Sequence, residues 1–353
     1  MNCSWPLPSN ATRTQTLRFQ IKKFVAVLSA SVITFPLMYS VYVNRNDKII
    51  LTKVVCFADA IVHLFVQMFF STIHHDRIQA LVEQVQEYCA NAKPYEKRIL
   101  QRYLDKYSMP YGVTASWFYL TPTFFFVGTL FIAQPFPIDA EYPFPVDYEP
   151  LRSAIFLHHG FVCLQCTSIV CNNMFAALLI FFAAARFEMV MEEFRAVESM
   201  ETLIQALQKY YRVKSFAREV VSVMQYTAIA TTILATLPLV LCGLNIIGRQ
   251  PAMVKVQFAF MAGIAILEVF MVAWPADDLL EASEKAVQSL FESPWYNNLV
   301  KLQKAVLFSL VPQKPVFISC FYIIPVLSLR YFCSYVSNAL SIFTALRLVV
   351  NDD

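Results

Sequence analysis

Glycine is the first thing missing: only six of the 353 residues are glycine. No glycine-rich phosphate loop, nucleophile elbow or zinc-protease motif can be found, so the chain does not read as an enzyme. The same shortage argues against a transporter, whose binding sites form where glycine or proline interrupts helices near the membrane midplane. Charge is scarce too, at 15% against about a quarter in soluble domains. The net +3 is too small to point to nucleic acid. Cysteine is not scarce, but seven of nine (Cys56, Cys163, Cys166, Cys171, Cys242, Cys320 and Cys333) lie inside apolar blocks, where buried free thiols are the plain reading. Neither a disulfide framework nor a cofactor follows. His159, Cys163 and Cys166 share a helix face, yet three ligands with no fourth nearby make a poor zinc site.

What is present is apolar sequence in blocks: 58% hydrophobic residues, with 31 Phe. The block Phe24–Val43 carries no charge and is long enough to cross a hydrocarbon core of about 30 Å. The polar residues before it lack the pattern of a cleaved signal peptide. Apolar windows predict spans at 24–43, 54–73, 109–133, 154–185, 223–248, 256–276 and 327–350. The fourth, about 48 Å long as helix, must protrude at one end. The predicted fold is therefore all-α, a polytopic membrane protein with seven transmembrane helices and no internal repeat.

Lysine and arginine orient it. The N-terminal tail and the connections 74–108, 186–222 and 277–315 hold twenty; the connections 44–48, 134–153 and 249–255 hold five. The positive-inside rule places the first set in the cytoplasm, with the N-terminus inside and the C-terminus outside. Two sequons, Asn2-Cys3-Ser4 and Asn10-Ala11-Thr12, pull the other way, but such triplets are common by chance. A G-protein-coupled receptor would need the opposite topology; the "HDR" at His75–Arg77 follows the second span, and the last span has no Asn-Pro-x-x-Tyr. The inner connections read as amphipathic helix: Ile78, Leu81, Val82 and Val85 share one face, and Phe194 and Val197 recur among Met189, Glu192 and Glu193. The outer segment 134–153, rich in proline, aromatic and acidic residues, reads as an ordered lid.

The stretch 274–315 narrows the reading. Trp274-Pro275, Asp277-Asp278, Leu280, Ser283, Ala286, Ser293-x-Trp295-Tyr296, Lys304 and Lys314-Pro315, followed by Pro325, Ser328, Phe332, Ser337, Phe343 and Leu346, resemble the C-terminal signature of insect odorant receptors. Phe291 departs from the tyrosine usual there. The resemblance implies an odorant-gated, non-selective cation channel subunit of sensory neuron dendrites. It implies a plasma-membrane heterotetramer with the odorant receptor co-receptor, in contact with membrane lipid. Gustatory receptors share this logic and are the nearest competitor, with a metabotropic seven-span chemoreceptor behind. On this pattern residues 1–23 are a cytoplasmic tail, 24–276 a ligand-binding bundle, 277–326 a cytoplasmic anchor, and 327–353 the pore helix with a short C-terminus.

Candidate residues follow. Asp59 and His63, at i and i+4 in the second span, are intramembrane ionisable groups, either a self-satisfied pair or a pocket wall. A volatile odorant needs a mostly apolar cavity with few polar groups. The candidate ligand set is Ala60, His63, Val113, Trp117, Thr121, Cys166 and Phe260. Ser341, Ala345, Leu348 and Val349 share one face of the last span and, through the resemblance, are the candidate pore face; small and apolar residues there suit a gate that works by dewetting. Trp295 and Tyr296, large aromatics in a cytoplasmic segment, are candidates for assembly.

Overall fold

The computed structural model describes residues 6–8, 11–129, 136–248, 250–311, 313–319 and 324–351, with backbone alone at 128 and 346–351. Its helices are α1 (Arg13–Val43), α2 (Lys48–Ile73), α3 (His75–Asn91), α4 (Pro94–Gly128), α5 (Leu151–Arg195), α6 (Met200–Ile247), α7 (Ala252–Gln288), α8 (Val300–Ser309) and α9 (Leu329–Asn351). The protein is all-helical, as the apolar blocks predict. Asn2 and Asn10, the sequon asparagines, lie outside the described residues.

The helices outrun the predicted spans. α5 is 45 residues long and α6 is 48, because the apolar block of each continues directly into an amphipathic extension. Only Ala196–Ser199 separates them, where Ser199 and Thr202 form a capping box that starts α6. Asp47 caps α2 by accepting from the amides of Ile49 and Ile50, and Pro94 opens α4 at a position where its missing N–H costs nothing. Among the described residues, five helices (α1, α2, α5, α6, and α7 with the turns that follow it) are long and apolar enough to cross a membrane. α4 and α9 fall short of that measure over their described residues; the first half of α4 is charged.

α5, α6 and α7 form the centre. Val162, Val170, Ala183, Ala184, Phe187 and Val190 of α5 are fully buried, as are Val213 and Val220 of α6 and Val269, Ala273 and Ala276 of α7. α1 lies outside them and turns Phe24, Leu28, Phe35 and Met38 outward, a surface suited to lipid. The extensions meet in one large core that also takes Ile78 and Leu81 from α3, Leu302 and Val306 from α8, and Val316, Ile318 and Leu327 between α8 and α9. Ion pairs register this end: Arg77–Glu219 joins α3 to α6 at 2.7 Å, Lys106–Asp278 joins α4 to α7 at 2.8 Å, and Arg102–Glu188 joins α4 to α5. Each is partly exposed and stabilises little alone. Their value lies in fixing which helix faces which. α9 packs Tyr335, Ala339 and Phe343 against α6 and α7.

Candidate ligand-binding site

At the opposite end of the bundle the helices part around a cavity of about 160 Å³. α2 contributes Lys53, Cys56, Phe57, Asp59, Ala60 and His63, spaced to share one helix face. α4 adds Phe118, Thr121 and Phe125; α5 adds Cys163 and Cys166; α6 adds Ala235 and Pro238; α7 adds Met261, Ile264, Ala265 and Glu268. Pro122 and Pro238 also line the space. A proline inside a helix cannot donate to the carbonyl four residues back, which loosens the helix there.

A strap closes the mouth. Pro137, Ile138 and Asp139 line the cavity, and Phe136, Ile138 and Ala140 are buried. Three ties hold it: Ser40 Oγ of α1 donates to the Asp139 carbonyl at 2.7 Å, Lys53 Nζ meets the Asp139 carboxylate at 3.7 Å, and Tyr142 Oη lies 2.9 Å from His159 Nε2. Burial raises the Asp139 carboxyl above the ordinary carboxylate range, with the Lys53 ammonium opposing that shift.

About 15 Å along α2 from Lys53, the walls turn polar at His63. Asp59 and His63 both line the cavity and are not bonded to each other among the described residues. His63 Nε2 lies 3.2 Å from Thr231 Oγ1 and 3.1 Å from Gln67 Nε2, and its Nδ1 lies 3.6 Å from Glu268 Oε2. Gln67 continues the network to Asn173 at 3.1 Å and Asn172 at 2.8 Å. Buried amides and hydroxyls thus bond one another behind the cavity wall, with Asn173 Nδ2 left unpartnered among the described residues, while Asp59 and Glu268 face the cavity.

Of the residues singled out in the sequence, Ala60, His63, Thr121 and Cys166 meet at this cavity. Trp117 and Phe260 stand apart as a stacked pair, ring centroids 4.8 Å apart, with Trp117 Nε1 donating to the Phe260 carbonyl at 3.2 Å. Val113 is 57% exposed on the outside of α4. His159 and Cys163 do not join Cys166 around an ion: His159 bonds Tyr142, and no group of three or more potential metal ligands occurs among the described residues. Ser341 and Ala345 are exposed on α9, while the side chains of Leu348 and Val349 lie outside the described residues. Trp295 is half-buried and Tyr296 is exposed. Glu268 was missed in the sequence.

Comparison places this architecture. Residues 48–340 match the family model described as 7tm Odorant receptor. Odorant receptor 13a of Drosophila melanogaster is 22% identical over 258 residues, which cover 65% of this chain and 61% of that receptor, so the chain spans about three-fifths of the length of this curated relative. The insect olfactory receptor OR5 of Machilis hrabei, solved in complex with eugenol, superposes with a TM-score of 0.80 at 12% identity, covering 98% of this chain and 93% of that one. A second structure of the same receptor gives a TM-score of 0.82 at 11% identity, covering 97% and 93%. With a family match over most of its length and the fold that goes with it, the chain belongs to the 7tm odorant receptor family.

Proposed function

We propose that this chain is the odorant-binding subunit of an odorant-gated, non-selective cation channel, assembled with the odorant receptor co-receptor as a heterotetramer in the plasma membrane of a sensory dendrite. The observation that carries the reading is the cavity: about 160 Å³, mostly apolar, strapped at its mouth and set among five helices. It is close to the roughly 150 Å³ apolar cavity that holds one benzene. The eugenol in the Machilis receptor makes small aromatic volatiles the first ligands to try. Ala60, His63, Thr121 and Cys166 are the proposed contacts. Val113, Trp117 and Phe260 drop out of the proposed set, since none lines the cavity.

The same reading makes α9 the pore helix. Its face bearing Tyr335, Ala339 and Phe343 is used inside the chain. Ser341 and Ala345 are left open, a face available to the conduction path of a ring of subunits, with Leu348 and Val349 continuing the stripe. The anchor leaves Phe291, Tyr296, Leu299, Val300 and Phe308 between 63% and 82% exposed, an apolar surface that neighbouring subunits would cover, with Trp295 at its edge. Seven crossings with a cytoplasmic N-terminus complete the proposal, on the twenty-to-five distribution of basic residues.

The test is co-expression with the co-receptor in oocytes, recording currents against a panel of small volatiles. Odorant-dependent cation current supports the reading; silence from complexes shown to be at the surface removes it. A C-terminal tag reached by antibody on intact cells, with an N-terminal tag hidden, is the expected topology.

A further inference from the structure

The cavity holds more acid than base. Asp59, Asp139 and Glu268 line it against one lysine, Lys53, which Asp139 already engages at 3.7 Å. His63 does not restore the balance. Gln67 Oε1 accepts from Asn172 at 2.8 Å, which fixes the amide so that its nitrogen, able only to donate, faces His63 Nε2 at 3.1 Å. Nε2 faces that amide and the Thr231 hydroxyl, which leaves Nδ1 as the ring atom turned toward Glu268. Glu268 Oε2 lies 3.6 Å from that Nδ1, outside hydrogen-bond reach. The Glu268 side chain is 8% exposed, faces the cavity and makes no hydrogen bond among the described residues. Asp59, one turn from His63 on the same face of α2, faces the same space. A carboxylate enclosed by apolar walls is costly until a counter-charge comes within reach.

We propose that the cavity takes small primary amines, the nitrogen seated at Glu268 and Asp59 and the apolar remainder against Ala60, Phe118, Ile264 and Ala265. The inference rests on the odorant-cavity reading above and adds the ligand class. An ammonium group brings three donors and the positive charge the wall lacks, whereas an alcohol brings one donor and a hydrocarbon none. The volume suits a single small ring with a short arm.

Benzylamine, benzyl alcohol and toluene share a ring and differ in the group that would meet Glu268. In cells expressing the chain with its co-receptor, benzylamine is expected to be the most potent of the three. Glu268→Gln should raise its half-maximal concentration by about ten- to a hundredfold while leaving toluene unmoved. Asp59→Asn, at a half-buried position better placed to fold, should shift benzylamine in the same direction. If the unsubstituted receptor ranks toluene or benzyl alcohol above benzylamine, or if both substitutions leave the benzylamine curve in place, the amine seat is wrong and the odorant cavity stands. If surface-labelled complexes answer to no amine, alcohol, ester or hydrocarbon, the cavity reading falls and takes the amine seat with it.

Discussion

Glu268 is the only charged residue between Lys255 and Asp277. The rule that marks His63, that an ionisable group inside a membrane span is expensive and therefore purposeful, marks Glu268 equally. It is legible in the sequence on that ground alone. Val113 lies off the cavity for a geometric reason. A step of four residues over-rotates a helix by about 40°, so the stripe Val113, Trp117, Thr121 turns through about 80°. Thr121 reaches the cavity, while Val113 faces outward. Trp117 falls between them and stacks on Phe260, with its ring against the space where Gly263 has no side chain. Trp117→Ala is therefore expected to loosen α4 from α7, costing about 2–3 kcal/mol for a partly buried tryptophan. Surface biotinylation should show less receptor, and dose–response curves should keep the same odorant ranking. A shift toward bulkier odorants at normal surface levels would return Trp117 to the cavity wall.

Helices were easy to place in the sequence and hard to end. Apolar runs mark the centres of α1, α2, α5, α6 and α7, since membrane thickness sets a minimum apolar length. Their extensions keep helical periodicity without interruption, so no signal marks where membrane gives way to anchor. Punctuation survives only where the chain reverses, as at Ser199. Packing between helices was not legible, because it depends on small residues whose partners lie far away in sequence. Gly243 on α6 is the clearest instance: a Cβ there would fall 2.5 Å from the Phe343 ring of α9. Gly243→Ala should push that ring aside and tilt or detach α9, since overpacking of this kind costs about 1–3 kcal/mol. The expected readout is reduced odorant-evoked current per receptor at the surface, with potency little changed. Phe343→Leu should restore part of the current in the double variant, a coupling that unrelated sites would not show.

At the scale of the whole molecule, the apolar surfaces the chain leaves open divide by location. Those on α1 suit lipid, those around α8 suit neighbouring subunits, and the small residues of α9 suit an axis. Ala345→Glu tests the last. In a dewetted constriction the carboxylate should hydrate the ring, raise basal current without odorant and favour divalent cations, and only in part if, as proposed, a co-receptor supplies the other helices. Against a packed neighbour the same charge would block assembly, and surface biotinylation beside whole-cell recording tells the two apart. The strap over the cavity bears on timing. Three ties, at Ser40, Lys53 and Tyr142, hold it against the bundle, so in the proposed odorant cavity a molecule leaving past the strap would have to wait on them. An animal tracking a broken plume needs each encounter to end before the next begins, and on the proposed function the strap would set that interval separately from how tightly the walls grip. Asp139→Asn removes the ionic tie and keeps the carbonyl that Ser40 holds. Current after odorant washout should then decay faster, while the order of preference among odorants, written in the walls and not in the strap, stays as it was.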